Sequence, residues 1–231
     1  MDNTFKLIYG ISPKAIQKTC VIMPFDIPGA AAALGVTGMA QGKVFACGQG
    51  KGLTLIRSGM SAGFVGDCVL WLKDTPCHEI FFLGTCGLFQ KQPGLDIGTV
   101  LAPVHIYPFE SFSAIAAGQM SVPKPLHADQ TLLNKAGLDI PRVDCVSFAS
   151  LHEEAKHVQF FQKLGAEAIE MECAAFFTAV RLISRASSAL LIASDIVGDK
   201  DLCFNLSPHN KKNLAEGISQ ACKAIISFNG V

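Results

Sequence analysis

Short apolar runs, each ended by glycine, proline or a polar turn, recur along the whole chain and predict β-strands. The runs at residues 80–83 and 189–193 are continuous, which is typical of strands buried on both faces. A glycine-rich turn at 48–52 lies between two further runs and predicts a β-hairpin. The predicted strands are residues 5–9, 20–25, 43–47, 53–57, 80–83, 99–106, 142–148 and 189–193.

A second pattern, with apolar residues three and four positions apart, predicts amphipathic helices between these strands. Its clearest example is the stripe of Val65, Cys68, Val69 and Leu72. One predicted helix begins near residue 12. The others cover residues 65–72, 129–136, 153–164, 173–184 and 209–228. Because strands and helices alternate, we expect a single α/β domain over residues 1–231.

An acidic cluster interrupts the apolar pattern at residues 166–175, A-E-A-I-E-M-E-C-A-A. Apolar and acidic residues alternate up to Glu172, and a small, apolar, helix-compatible face begins at Cys173, which predicts a strand-to-helix junction. Unpaired N–H groups at the start of a helix favour a carboxylate. The cluster therefore predicts either a binding carboxylate or a helix cap.

Composition restricts the class of function. The chain has 231 residues, of which 50% are hydrophobic and 16% are charged, and its nineteen basic and nineteen acidic residues cancel. A neutral chain favours neither a nucleic-acid surface nor an anionic membrane as partner. No apolar run is long enough to span a bilayer. The N-terminus lacks the pattern of a secretory signal, so we expect a cytoplasmic protein that binds a small molecule or another copy of itself.

The nine cysteines are an odd number without C-x-x-C spacing, and most lie in apolar runs. This distribution is typical of buried thiols in a reducing compartment, and less typical of disulfides or a metal site. We therefore expect no metal.

Candidate site residues lie where predicted strands end: Gly10, Gly84-Thr85, Glu172 and Ser194-Asp195. In an open α/β sheet, ligands bind beside such strand ends. Backbone N–H groups at Gly10 could hold an anion, to which Lys14 would add a positive charge. A plain turn with a solvated lysine is the alternative there.

Three motifs in order resemble the nucleoside phosphorylase and nucleosidase family: G-T-C-G at 84–87, A-I-E-M-E-C-A-A at 168–175 and A-S-D-I-V-G-D at 193–199. The S-G-M-S turn at 58–61 and L-D-I-G-T at 95–99 extend the similarity along most of the chain. The resemblance implies a three-layer α/β/α domain with a central mixed, mostly parallel sheet. It also implies a homo-oligomer that needs no cofactor.

By that resemblance, Glu172 accepts hydrogen bonds from the ribose 2′- and 3′-hydroxyls, and Met171 packs under the sugar. A carboxylate suits two vicinal hydroxyl donors. Glu170 is expected to face away by strand alternation. Asp195 would protonate or hydrogen-bond purine N7 as the glycosidic bond breaks, which requires a carboxyl whose pKa burial can raise.

The sequence departs from both branches of the family in the groups that handle the nucleophile. Where phosphorylases commonly carry arginines, this chain has Lys14 and Phe82, and residues 10–20 lack the acidic residue that nucleosidases use to activate water. Gly10, Gly84, Thr85 and Lys14 remain as phosphate- or water-binding candidates. We therefore expect phosphorolysis with inorganic phosphate as co-substrate. The alternatives are a hydrolytic nucleosidase of the methylthioadenosine/S-adenosylhomocysteine or futalosine type, and an inactive nucleoside-binding protein.

The base pocket is predicted to contain Phe148, Leu151, His152 and Ser194. Leu151 and His152 stand where related nucleosidases have an aromatic and an aliphatic residue, so stacking falls to Phe148 or to the segment 107–112. Asp195 favours a purine over a pyrimidine, because N7 is the atom that needs a proton donor.

Overall fold

The computed structural model describes residues 2–198 and 205–230. The helices are α1 (Asp2–Tyr9), α2 (Ala30–Ala33), α3 (Ala62–Leu70), α4 (Phe112–Ala116), α5 (Thr131–Ala136), α6 (Glu154–Lys163), α7 (Cys173–Leu182) and α8 (Pro208–Phe228). The strands are β1 (Thr19–Met23), β2 (Ala40–Gln41), β3 (Ala46–Gly50), β4 (Leu53–Arg57), β5 (Glu79–Leu88), β6 (Val100–Phe109), β7 (Leu126–His127), β8 (Arg142–Phe148), β9 (Ala168–Glu170) and β10 (Ala186–Ile196).

All strands belong to one sheet in the order β10-β6-β8-β9-β5-β1-β4-β3-β2, with β7 paired to β6. The pairings of β5 with β1 and β10, of β1 with β4, and of β8 with β6 and β9 are parallel. The shorter pairings of β5 with β9 and of β6 with β10 are antiparallel. Because β10 pairs with both β5 and β6, the strands β10, β6, β8, β9 and β5 close a ring at one end of the sheet.

Helices cover both faces of this sheet. Buried side chains of α1, α3 and α7 pack on one face, and those of α2, α5 and α8 pack on the other. A smaller cluster joins α6 to β6 and β8. The predicted three-layer α/β/α architecture with a mixed sheet is confirmed.

The most consequential wrong prediction is the strand at residues 5–9, which is helix α1. Phe5 and Tyr9 are buried and stack with ring centroids 4.1 Å apart, while Leu7 between them is 58% exposed. This spacing of four is helical, but a five-residue run is too short to distinguish the two periods. The first strand of the sheet is therefore β1.

The sequence also predicted turns inside two strands. The turn placed at residues 48–52 is only Lys51-Gly52, since β3 continues to Gly50. Likewise, β5 does not end before Gly84-Thr85 but continues to Leu88. Gly84 is needed within the strand because a Cβ there would lie 2.6 Å from the ring of Phe82. Gly84 therefore reflects close packing within a strand rather than chain reversal.

The eight described cysteines are free and buried, and the ninth, Cys203, lies outside the described residues. Within residues 2–198 and 205–230, no helix combines the length and apolar composition needed to cross a bilayer.

Candidate functional site

The S-G-M-S turn and the acidic cluster meet in the structure. The backbone N–H of Ser61 donates a hydrogen bond to Glu172 Oε1 at 3.0 Å. Ser61 is the N-cap of α3 and has a φ of 130°, a conformation that few residues other than glycine adopt. The backbone there is held in an uncommon conformation that directs its N–H to the carboxylate.

Glu170 caps helix α7. Its Oε2 accepts hydrogen bonds from the backbone N–H groups of Glu172 and Cys173, both at 2.7 Å, and its Oε1 accepts from the Ser147 hydroxyl. The Ser147 oxygen in turn accepts from the Ala174 N–H at 2.9 Å. The first N–H groups of α7 are thus satisfied by two buried side chains.

β9 ends at Glu170, and the Glu170 carboxylate turns to the N–H groups of α7. The helix-capping role considered for the acidic cluster belongs to this residue. Glu172, whose side chain makes no capping hydrogen bond to α7, stays available for another role.

Glu172 is 6% exposed. Burial, above all, raises its pKa to about 8. The charge of Glu170 and, to a smaller extent, that of Glu110 also raise this pKa, while the Ser61 N–H lowers it. The carboxyl therefore lies in a desolvated, negatively charged environment that the backbone N–H groups of Ser61 and Met171 offset only in part.

Asp195 lies near the end of β10 and is 8% exposed. Burial raises its pKa, and the hydrogen bond with Ser194 offsets part of the rise. The Ser194 hydroxyl is 2.6 Å from Asp195 Oδ1 and 3.1 Å from the Cys86 carbonyl oxygen. A hydroxyl has one proton, so when Ser194 donates it to the Cys86 carbonyl, its oxygen can accept a hydrogen bond from a protonated Asp195. The arrangement suits a carboxyl that is protonated part of the time.

The other predicted base-pocket residues do not face Asp195. Phe148 is 1% exposed and packs edge-on against Phe161 in the cluster under α6. Leu151 is exposed, and His152 is exposed with its Nδ1 2.7 Å from Glu153 Oε1. Of the predicted base-pocket residues, only Ser194 contacts the acid.

The structure does not bring Gly10 and Lys14 to this region. Lys14 is in a 3-10 helix that precedes β1, and β1 begins opposite Glu79, the first residue of β5. Thr85 lies six residues further along β5, so Lys14 is at the opposite end of the strand. Gly10 ends α1, where a Cβ would lie 2.8 Å from the backbone of Gln41. Position 10 is therefore a glycine because the backbone packs closely there.

The chain that follows β1 is the segment adjacent to Gly84 and Thr85. Ile22 pairs with Phe82, so if the same register continues, residues 24–28 follow alongside Gly84 and Thr85. This segment contains Asp26, which is exposed. The sequence analysis missed Asp26 because it interpreted α1 as the first strand of the sheet. Phe82 itself is buried against Phe176, with ring centroids 5.4 Å apart, and offers no anion contact.

Two further carboxyls near the site were missed. Glu154 begins α6, and burial together with the charge of Asp195 raises its pKa to about 7. A cavity of about 680 Å³ between α6 and the end of β10 is lined by their chain neighbours Ala155 and Ile196. Glu110 immediately follows β6, and a polar residue directly after a buried strand marks a candidate position. The prediction considered residues 107–112 only as a source of stacking for the base.

Metal ligands do not cluster here: within the described parts of the chain, no three His, Cys, Asp or Glu side chains are close enough together to hold an ion. Asp199, the last residue of the third motif, lies outside those parts.

Comparison with known proteins identifies the family. The family model of the phosphorylase superfamily matches residues 24–227. No curated protein shows a significant match to the chain.

Several solved structures share the fold. AMP nucleosidase from Bacteroides thetaiotaomicron is 17% identical with a TM-score of 0.67, covering 99% of this chain and 96% of its own. Methylthioadenosine/S-adenosylhomocysteine nucleosidase from Campylobacter jejuni is 15% identical with a TM-score of 0.69, covering 92% and 98%. Uridine phosphorylase from Vibrio fischeri is 17% identical with a TM-score of 0.71, covering 93% and 92%. The resemblance inferred from the sequence motifs is confirmed, and the chain belongs to the phosphorylase superfamily.

Proposed function

We propose that this protein cleaves the N-glycosidic bond of a purine-type nucleoside and releases the free base. The observation that carries the proposal is the pair of buried carboxyls, Glu172 and Asp195, each with a raised pKa and each held by one neighbouring group. Perturbed carboxyls of this kind concentrate in functional sites.

Glu172 binds the sugar in this proposal. The Ser61 N–H fixes one carboxylate oxygen, which orients the group and leaves acceptor positions for the vicinal hydroxyls of ribose. Met171, next in the chain, is the residue proposed to pack under the sugar.

Asp195 acts as the general acid. Its raised pKa favours the protonated form that can donate to purine N7 as the bond to C1′ breaks. Proton donation by a positioned side chain accounts for a rate factor of roughly 10²–10⁴.

Water is the acceptor that the arrangement supports better. Of the four residues on which the expectation of phosphate rested, Gly84 and Thr85 lie in β5, whereas Lys14 and Gly10 lie before β1, away from Thr85. Phe82 is apolar and packed in the core. The segment 24–28 after β1 instead contributes the carboxylate of Asp26, which repels an anion.

Phosphorolysis is the second candidate, favoured by two residues. Thr85 is half-buried and lies two residues before Gly87, which pairs with Ile169, and Arg57 ends β4 in register with Met23 of β1. A hydroxyl and one guanidinium form a minimal phosphate site.

The test is release of free base from a panel of purine, pyrimidine and 5′-modified nucleosides, measured with and without phosphate. Release that is independent of phosphate supports hydrolysis, and release that requires phosphate supports the second candidate. Tight nucleoside binding without release would contradict both and support the inactive binding protein.

We also propose a homo-oligomer. Large apolar side chains that flank the site are half or more exposed, namely Met60, Phe64, Phe112 and Leu151. A second copy of the chain covering them would bury this apolar surface. Analytical ultracentrifugation tests this, and a monomer at micromolar concentration would contradict it.

A further inference from the structure

Glu110 lies level with Glu172 at the same end of the ring of strands. The parallel register pairs Pro108 with Ser147, and Ser147 with Glu170. Two residues further along each chain come Glu110 and Glu172. They are separated by the width of β8, so their backbones are about 10 Å apart.

One carboxyl oxygen of Glu110 makes no hydrogen bond within the described parts of the protein. Its Oε1 is buried and has no hydrogen-bond partner in the described parts of the chain. Burial and the charge of Glu170 raise the pKa of Glu110, and the Ala175 backbone N–H offsets part of that rise. Buried polar atoms in folded proteins are nearly always paired, so an unpaired acceptor next to a binding site points to a ligand donor.

The other nearby carboxyl is already occupied. Both oxygens of Glu170 are taken by Ser147 and the first N–H groups of α7. Glu172 and Glu110 are therefore the two carboxyls that can still accept from a bound sugar. The charge of Glu110 contributes to the raised pKa of Glu172, so the two carboxyls lie close enough to act on the same ligand.

We propose that Glu110 is a second sugar-binding residue, whose free oxygen accepts a hydrogen bond from the 5′-hydroxyl while Glu172 binds the opposite edge of the ribose. This inference rests on the proposed function. It makes the preferred substrate an uncharged nucleoside with a hydrogen-bond donor at C5′. A 5′-methylthio group offers no donor, and a 5′-phosphate would be repelled by the two carboxyls.

The experiment compares adenosine, 5′-deoxyadenosine and 2′-deoxyadenosine as substrates of four proteins: wild type, Glu110→Ala, Glu110→Gln and the control Glu153→Gln. Glu153 is a half-buried carboxylate paired with Lys156 and His152, and no role in the site is proposed for it. We expect loss of the 5′-hydroxyl to lower kcat/KM at least tenfold in wild type and in the control. In Glu110→Ala the same loss should be threefold or less, while discrimination against the 2′-deoxy sugar is kept.

Glu110→Gln keeps an acceptor oxygen and should retain most of the 5′-discrimination, so the contrast between the Ala and Gln variants assigns the effect to the acceptor oxygen. Equal discrimination in Glu110→Ala and wild type, or a wild-type preference for 5′-methylthioadenosine over adenosine, would overturn the inference. If Glu110→Ala does not fold, Glu110→Gln and the wild-type substrate order decide.

If the proposed function is wrong, the experiment gives a result that differs from the one expected if only the role of Glu110 is wrong. If no nucleoside is cleaved, the same three nucleosides are titrated calorimetrically into the same four proteins, and the 5′-discrimination in Kd tests Glu110 alone. Absence of any nucleoside binding overturns both proposals.

Discussion

Replacing Glu172 by glutamine should stabilise the free protein in alkaline solution. Burial raises the pKa of this carboxyl from 4.5 to about 8. One pKa unit corresponds to about 1.4 kcal/mol, so ionising Glu172 in the folded protein costs on the order of 5 kcal/mol. Because the residue is 6% exposed, solvent screening reduces this cost little.

The sign follows from linkage. A group whose pKa is raised by folding contributes full stability below its unfolded pKa of about 4.5 and loses it as the pH rises through the folded pKa of about 8. Glutamine does not titrate, so the stability advantage of Glu172→Gln over wild type should grow between these values and level off above about pH 8. The same substitution should weaken nucleoside binding, because the amide is a poorer acceptor for two hydroxyls.

Urea denaturation at several pH values between about 5 and 9, followed by the fluorescence of the single tryptophan, Trp71, measures this difference. Glu153→Gln is the control, since its carboxylate is ion-paired at the surface. A stability difference between Glu172→Gln and wild type that stays constant with pH would refute the reasoning.

Three further outcomes are expected. Asp195→Asn should lower kcat by roughly 10²–10⁴ while changing nucleoside Kd about threefold or less; an unchanged kcat in stopped-time assays would remove Asp195 as the acid. Glu154→Gln should abolish the limb of the pH–rate profile near the Glu154 pKa of about 7, and a limb that persists there would assign it to another group. Ser147→Ala should reduce the free energy of unfolding by about 1–3 kcal/mol in urea titrations, because Glu170 and the Ala174 N–H both lose a buried partner; wild-type stability in this variant would mean that water replaces the hydroxyl.

Local pattern predicted the centre of the fold well, because central strands and buried helix faces have one dominant period. The strand at residues 142–148 has the predicted bounds, and the stripe from Val65 to Leu72 is buried. The pattern failed at the N-terminus, where a five-residue run satisfied both periods. Because of that single error, Gly10 and Lys14 were expected beside the site, whereas they lie before β1 at the other end of the strand.

The site was predictable only as far as its motifs are local. Met171-Glu172 and Ser194-Asp195 could be recognised from neighbouring residues. The contact of Ser61 with Glu172 spans 111 positions, and the level position of Glu110 depends on the register of three strands. Neither hydrophobic periodicity nor residue type contains that register, so it could not be read from one sequence.

The closed ring of strands also sets an order in which the site becomes complete during synthesis. The last strand, β10, enters between β5 and β6, and it brings Asp195 with it. A chain that does not yet extend to residues 186–196 already contains Glu110 and Glu172 but lacks Asp195. Domains are synthesised from the N-terminus, so the strand that closes the ring and carries Asp195 is the last strand of the sheet to be made.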